Sequence, residues 1–300
     1  MGWKIFFGFV FFLLVIFLLG FYWFFPEADF RMGEKPSNFS LNSLGSENMQ
    51  FYPNMRYLES EISYKIYNCP LQKKNDMEKA FEIISNKTIL EFYPIEINEE
   101  ISVICDSKQR FEEGMFIAGE GGPTNITKTN NFNVILKGKI LLIKESNCEN
   151  PNVAIHELLH VLGFEHSSNP NNIMYNFSKC SQEIGEDTVD LINKLYIVPS
   201  YPDLTFEDVT ASTQGKYLNT NISIRNNGLK KSDKAVVEIY ADDKLIKEVS
   251  LESIDVGYGR QITLSNILVA KLQIDKFNFV IKTDFEELDK ENNKISLDKK

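Results

Sequence analysis

The residues best suited to chemistry in this chain of 300 residues are three histidines and one glutamate that lie close together. Residues 156–166 read HELLHVLGFEH, and the sequence contains no histidine outside this stretch. Histidines four residues apart lie on one face of a helix, about 6 Å apart along its axis, so both imidazoles can bind one metal ion. Glu157, directly after the first histidine, is then placed to act as general base on a metal-bound water.

The same stretch supplies a third ligand. Gly163 suits the left-handed conformation that ends a helix, and a turn there would return His166 to the metal. Three protein ligands with an open fourth position are typical of a catalytic zinc site. Ordinary helix histidines are the alternative, which is disfavoured because every histidine of the sequence occupies a ligand position. We therefore predict that His156, His160 and His166 bind one zinc ion, with Glu157 as the catalytic base.

The pattern H-E-x-x-H-x-x-G-x-x-H resembles the zinc signature of the metzincin metalloproteases. Residues 172–175, which read NIMY, are similar to the methionine turn that metzincins have beneath the metal. The short connection from His166 to Met174 resembles that of the matrixins in particular. This resemblance implies the same ligands and base, a packing role for Met174 under the metal, and a metzincin-like α/β (α+β) fold over residues 60–198.

Three features depart from the animal matrixins. These proteins carry a second, structural zinc bound by further histidines, and no histidine is left here to bind one. Cys69 lies in the sequence YNCP, which lacks the surroundings of a cysteine-switch prosegment. Asn176 follows Met-Tyr at the position where matrixins usually have proline. The resemblance therefore implies one catalytic zinc, and it gives no prediction of how activity is restrained.

The N-terminal segment is strongly apolar. Residues 5–25 contain no charged side chain, and a run of this length can cross a bilayer as a helix. Lys4 precedes the run and no clear A-x-A cleavage site follows it, so we predict a signal anchor over residues 1–25. The remainder of the chain would then lie outside the cell. If the segment is instead a cleaved signal peptide, the protein is secreted.

Charge and cysteine content narrow the functional class further. The net charge of −10 and the absence of a basic patch argue against nucleic-acid binding. An even number of cysteines on the exported side of a membrane predicts two disulfides, although four reduced thiols are the alternative. Three pairings exist, and we favour Cys148–Cys180 with Cys69–Cys105. The first of these would join the start of the zinc helix to the segment after the methionine turn.

Composition divides the remaining chain into three regions. Residues 26–59 are rich in Asn, Ser, Gly and Pro, which predicts a stalk. Residues 60–198 alternate strand and helix patterns, as in a mixed α/β domain. Residues 199–300 contain several short strand patterns separated by turns, which predicts an all-β immunoglobulin-like sandwich. A fibronectin-III-like sandwich is nearly as consistent with the pattern alone.

The C-terminal region also has a resemblance. Loose motifs, namely Asp203-Leu204, the RNNG sequence of residues 225–228, Gly257 and the ENN sequence of residues 291–293, are similar to the CARDB adhesion-related domains of prokaryotic surface proteins. The resemblance leaves two roles open, a spacer or a module that binds substrate or a cell-surface partner. The sequence has many Asp and Asn residues but no recognised calcium loop, so calcium binding is not predicted either way.

The region before the zinc helix is expected to form the rim of a substrate cleft. Residues 114–123 are Gly-rich and predict a surface loop, which is followed by a hairpin of residues 132–136 and 139–143 turning at Lys137-Gly138. The metzincin resemblance implies an edge strand above the cleft, formed by residues 132–136 or by the loop before them. Extended substrate would pair with that strand through main-chain hydrogen bonds.

Together these patterns predict a membrane-anchored extracellular zinc endopeptidase that acts on protein or peptide substrates. Residues 175–177, after the methionine turn, are candidates for its specificity pocket. One alternative is a gluzincin-type peptidase in which a distant glutamate replaces His166, but Gly163 and the methionine turn argue against it. A second is a non-enzymatic surface protein that binds through the C-terminal sandwich. The intact Glu157 argues against an inert zinc domain.

Overall fold

The computed structural model describes residues 2–23, 27–32, 49–108, 110–112, 115–269 and 273–299. The helices are α1 (Gly2–Trp23), α2 (Leu71–Lys87), α3 (Asn152–Val161) and α4 (Glu186–Ile197). The strands up to the zinc helix are β1 (Glu27–Met32), β2 (Met55–Tyr57), β3 (Glu61–Tyr67), β4 (Glu91–Pro94), β5 (Ile101–Cys105), β6 (Arg110–Glu112), β7 (Met115–Ile117), β8 (Gly119–Lys128) and β9 (Asn133–Leu142). Those of the C-terminal part are β10 (Leu204–Gln214), β11 (Tyr217–Asn226), β12 (Ala235–Ala241), β13 (Lys244–Leu251), β14 (Gly259–Leu268), β15 (Lys276–Lys282) and β16 (Lys294–Lys299).

The apolar N-terminal segment is helical, as its sequence predicts, and forms α1. A search of the described residues finds no helix that combines the length and apolar character needed to cross a membrane. The membrane span over residues 5–25 stays a prediction.

The predicted stalk over residues 26–59 is wrong for the residues that the structure describes. Strand β1 pairs antiparallel with β10 on one side and β16 on the other, so it belongs to the C-terminal sheet. Strand β2 pairs with β9, and the side chains of Met55 and Tyr57 are fully buried. A three-residue strand is too short to show a period in the sequence, which explains why β2 was not predicted. Residues 33–48 lie outside the described part of the chain.

The domain that contains the three histidines is built on one mixed sheet. Strands β2, β9, β5, β3 and β4 are adjacent in that order and pair in parallel, while β8 pairs antiparallel with β9. Strand β8 runs along the whole of β9, whereas β5 and β2 pair with the two ends of β9. Strands β2 and β5 therefore lie on the side of β9 opposite to β8. Strand β8 forms one edge of the sheet, next to α3.

This topology corrects two predictions about the cleft rim. Residues 119–122 belong to strand β8 instead of a surface loop, and β9 continues through Lys137-Gly138 without the predicted hairpin turn. Position 138 is a glycine because there is no room for a side chain, and not because the chain turns there. A Cβ atom there would lie 2.5 Å from the Tyr57 hydroxyl oxygen and 2.5 Å from Cγ1 of Val161. Glycine in a strand interior commonly marks such a close approach.

The core of this domain lies between the sheet and the three helices α2, α3 and α4. Leu158 and Leu159 of α3 are fully buried and pack with Met77 of α2 and Leu191 of α4 in one apolar cluster. Both favoured disulfides are confirmed, with sulfur–sulfur distances of 2.02 Å for Cys69–Cys105 and 1.98 Å for Cys148–Cys180. The mixed α/β prediction for this region is also confirmed.

The C-terminal region is all-β, as predicted. Strands β10, β11 and β14 form one group, and β13, β12, β15 and β16 form another. Buried side chains of the two groups, including Phe206, Ile222, Val237 and Phe279, share a single apolar core, as in a sandwich. Strand β1 lies between β16 and β10 and joins the two groups into one continuous eight-stranded sheet.

A buried arginine holds the junction between the two domains. Arg56 is only 2% exposed, and its guanidinium donates hydrogen bonds to the carbonyl oxygens of Leu195 (2.6 Å), Val198 (2.8 Å) and Leu58 (3.0 Å). It also lies 4.3 Å from the ring centroid of Tyr196. Two of these carbonyls lie at the end of α4 and just after it, where helix carbonyls lack partners. The guanidinium therefore caps α4 from within the protein.

We expect Arg56→Met to lower the free energy of unfolding by about 2–4 kcal/mol, because each buried carbonyl left without a donor costs about 1–3 kcal/mol. Urea unfolding of the full chain measures the change. Arg260→Met is the matched control, since Arg260 is exposed on β14 and its replacement should change stability by less than about 0.5 kcal/mol. Equal effects of the two substitutions would contradict the capping role of Arg56.

Candidate metal centre

The three histidines of the predicted zinc motif converge on one point. The Nε2 atom of His160 lies 3.0 Å from Nε2 of His156 and 3.1 Å from Nε2 of His166, and the third separation is 3.2 Å. Two nitrogens bound to one tetrahedral zinc at about 2.0–2.1 Å are about 3.3 Å apart. The triangle of nitrogen atoms therefore has the size that one shared zinc ion requires.

Hydrogen bonds on the other side of two rings fix which nitrogen faces the metal position. Nδ1 of His156 lies 2.6 Å from the carbonyl oxygen of Ile173, and Nδ1 of His160 lies 2.7 Å from that of Phe164. A carbonyl oxygen only accepts, so each Nδ1 carries the proton and donates it. The Nε2 atom of each ring then carries a lone pair, and these two Nε2 atoms are only 3.0 Å apart. A cation bound between these lone pairs would remove their repulsion, so the residues fit a metal ion.

The surroundings keep these two imidazoles in the neutral form that binds metal. Burial lowers the pKa of His160 to about 4, and the neighbouring His156 adds to the effect. Burial also lowers the pKa of His156, against the opposing effect of its hydrogen bond to Ile173. Only a neutral imidazole has a lone pair for a metal ion. Both rings are therefore unprotonated near neutral pH.

The turn that returns His166 to the site is held by residues before the sheet. Gly163 has φ of +96°, as predicted for the end of the zinc helix, and a Cβ there would lie 2.9 Å from Cβ of Met55. The backbone N–H of Phe51 donates to the carbonyl of Gly163 (2.9 Å), and that of Glu165 donates to the carbonyl of Met49 (3.0 Å). The sequence contains no signal for this support, because residues 49–51 lie within the stretch rich in Asn, Ser, Gly and Pro that predicted a stalk.

The predicted methionine turn contacts the site through the hydrogen bond from His156 to the Ile173 carbonyl. Met174 is buried, and its backbone N–H donates to Oδ1 of Asn172 (2.8 Å). The backbone N–H of Ser167 donates to the carbonyl of Met174 (2.8 Å), while the Ile173 carbonyl accepts from His156. The methionine turn therefore orients His156, and it also holds Ser167, the residue that follows His166.

Glu157 lies against the edge strand in the wall of the same cleft. Its side chain is buried, and burial together with the nearby Glu120 raises its pKa to about 8. Gly119 and Gly121 of β8 make this contact possible. A Cβ on Gly119 would lie 2.7 Å from Cγ of Glu157, and one on Gly121 would collide with the Glu157 carbonyl oxygen. Two glycines at alternate strand positions were the available sequence signal for this close packing.

A cleft of about 970 Å³ opens over the three histidines. Residues 117–121, residues 144–148 and residues 175–180 contribute to its lining. Residues 175–177 thus line the cleft, as their position after the methionine turn predicted. The Cys148–Cys180 disulfide connects the second of these segments to the third.

Comparisons with known proteins agree with this geometry. Residues 56–197 match the family model described as matrixin, and residues 201–297 match the model described as CARDB. The chain therefore contains a matrixin domain followed by a CARDB domain.

Individual relatives are more distant. The macrophage metalloelastase of Rattus norvegicus is 28% identical over 174 residues, which is 50% of this chain and 36% of that protein. The chain thus spans little more than a third of that relative. A crystal structure of a CARDB domain from Pyrococcus furiosus, in complex with di-metal ions, is 17% identical with a TM-score of 0.27. This similarity covers 33% of the chain and 86% of that domain.

We expect Gly121→Ala to lower the free energy of unfolding by about 1–3 kcal/mol, because the new methyl group must push β8 away from the α3 backbone. Gly122→Ala is a matched control, since a Cβ at that position meets no atom within 4 Å. Thermal or urea unfolding compares the two variants. A Gly121→Ala protein as stable as the control would show that β8 and α3 do not pack this closely.

Proposed function

We propose that this protein is a zinc-dependent endopeptidase. The observation that carries the proposal is the convergence of three histidine Nε2 atoms within 3.2 Å of one another, beside a buried glutamate in an open cleft of a matrixin domain. His156, His160 and His166 would hold the zinc ion. Bound there, zinc would supply Lewis-acid catalysis and lower the pKa of a coordinated water.

Glu157 would act as the general base and later as the acid. A carboxylate within the cleft wall can accept a proton from the attacking water and pass it to the leaving amine. Burial and the nearby Glu120 raise its pKa to about 8 in the absence of a metal ion, which favours the protonated form that would donate to the leaving amine. A divalent cation nearby would lower this value toward the working pH. The positioning of Glu157 by Gly119 and Gly121 therefore supports its role in the reaction.

Substrate would bind as an extended chain along β8. The strand pairs with β9 through one edge, and its residues 119–121 line the cleft next to the histidines. An extended peptide can add to such an edge through main-chain hydrogen bonds, with alternate side chains directed into pockets. Tyr175 and Phe177, which also line the cleft, would offer apolar surface to one of those side chains. This arrangement supports protein or peptide substrates.

We place the protease domain on the exported side of a membrane. The two disulfides support this location, because such bonds persist in oxidising compartments and are rare in the cytosol. A non-enzymatic binding role through the CARDB domain is the weaker alternative. That alternative does not account for the burial of Glu157 or for the orientation of the histidine rings.

We expect Glu157→Ala to retain zinc and to lose peptidase turnover by at least about 100-fold, since general acid–base catalysis typically contributes 10²–10⁴-fold. Cleavage of an unfolded protein by the zinc-loaded full chain measures the change. Glu165→Ala is the control, because Glu165 is an exposed glutamate of the same stretch. An active Glu157→Ala protein would refute the assignment of the base.

His166→Ala should weaken zinc binding by more than about 100-fold. Loss of a residue that only supports a ligand typically lowers metal affinity about 10–100-fold, and loss of the ligand itself should lower it further. Competition with a chromophoric chelator measures the affinity, and Ser167→Ala controls for local disturbance of the turn. Unchanged affinity would instead favour the gluzincin-type arrangement, in which a distant glutamate is the third ligand.

A further inference from the structure

A second cluster of buried polar groups lies in the CARDB domain, far along the chain from the histidines. Within the described residues, six buried side-chain nitrogen or oxygen atoms have no hydrogen-bond partner. Four of the six belong to this cluster, and all four are oxygens: Oδ1 of Asn227, Oδ2 of Asp289, Oδ1 of Asn292 and Oδ1 of Asn293. A buried oxygen that lacks a donor costs about 1–3 kcal/mol, so a group of them calls for a ligand.

Hydrogen bonds tie two of these amides to buried carboxylates. Nδ2 of Asn292 donates to Oδ1 of Asp203 (2.8 Å), and Nδ2 of Asn293 donates to Oε2 of Glu287. The backbone N–H of Asn227 donates to the carbonyl oxygen of Asp203 (2.7 Å). The amide nitrogens of Asn292 and Asn293 thus each donate to a carboxylate. The amide oxygen of each residue accepts no hydrogen bond from the described part of the chain.

The cluster has more negative than positive groups. Asp203 is 2% exposed and Glu287 is 7% exposed. Both carboxylates are thus largely shielded from water, and Asp289 adds a third carboxyl group, whose Oδ2 has no hydrogen-bond partner among the described residues. Lys290, a basic residue, directly follows Asp289 in the sequence. Its ammonium lies at the surface, 4.0 Å from Glu286.

We propose that this cluster is a binding site for a hard divalent cation, Ca²⁺, with oxygen ligands from Asp203, Asn227, Asp289, Asn292 and Asn293. Calcium takes six to eight oxygen ligands in flexible geometry, including carboxylates and amide carbonyls. The set contains no nitrogen or sulfur ligand, so it does not suit zinc.

Glu287 is a positioning residue in this site. Its Oε1 accepts from the backbone N–H of Leu204 (3.2 Å), while Oε2 accepts from Asn293 and from the Thr283 hydroxyl (3.4 Å). Both of its oxygens are therefore engaged by donors. Holding Asn293 through the amide nitrogen turns the amide oxygen toward the cation, as outer partners of metal ligands commonly do.

The site lies where the CARDB domain meets the protease domain. The backbone N–H of Leu288 donates to the carbonyl of Pro202 (2.9 Å), and that of Leu229 donates to the carbonyl of Tyr201 (2.8 Å). Leu229 and Leu288 pack with Phe132 of the protease domain. A cation bound between Asp203 and residues 289–293 would therefore fasten the interdomain segment to the CARDB domain.

The test is calcium titration of the zinc-loaded full chain, first stripped of calcium by a chelating resin and then resupplied with zinc. Isothermal titration should show Ca²⁺ binding with a Kd of about 10⁻⁴–10⁻³ M, the range of extracellular calcium modules. Ten millimolar Ca²⁺ should raise the Tm by at least about 4 °C. Absence of calcium binding to the wild-type protein would overturn the proposal.

Asp289→Asn localises the effect. The neutral amide keeps an acceptor for the backbone N–H of Glu291, which now bonds Oδ1 of Asp289 (2.8 Å), so the variant should fold. We expect its calcium affinity to fall at least tenfold and its Tm shift to disappear. Asp233→Asn, at an exposed aspartate of the same domain, should behave as wild type. An undiminished calcium response in Asp289→Asn would place the binding elsewhere and reject this site.

Discussion

Two hydrogen bonds from histidine Nδ1 atoms to backbone carbonyls set the geometry on which the candidate metal centre depends. They hold His156 and His160 so that both Nε2 lone pairs point at one position, 3.0 Å apart. The carbonyl partners belong to Ile173 in the methionine turn and Phe164 in the turn after α3. Both turns must therefore be in place before the ligands can converge. The buried Met174, the positive φ of Gly163 and the support from residues 49–51 all serve that requirement.

The metal centre was predictable from sequence because its ligands lie close together in the chain. Helical spacing alone brings His156 and His160 together, and one glycine is enough to indicate the turn that returns His166. The disulfides were a choice among three pairings, which the positions of Cys148 and Cys180 on either side of the motif favoured correctly. The alternation of short strand patterns likewise indicated the all-β region. Each of these conclusions required only neighbours in sequence or a strong family pattern.

What the sequence did not predict depends on contacts between distant segments. Gly119, Gly121 and Gly138 suggested a loop and a turn, yet each is small because another element passes close to it. Strand β2 has only three residues, and its identity comes from pairing with β9. Arg56 reads as an ordinary charged residue, although it is buried among the carbonyls that end α4. Propensity and periodicity carry no information about such partners.

Strand β1 has a consequence for the order in which the protein can form. It precedes the matrixin domain in the chain, but its hydrogen-bond partners β10 and β16 follow that domain. A growing chain made from its N-terminus would present β1 long before either partner exists. The matrixin domain can fold in the interval, whereas the eight-stranded sheet must wait for β16. Until then β1 has two unpaired edges, so the nascent chain has a reason to be shielded from pairing with other chains.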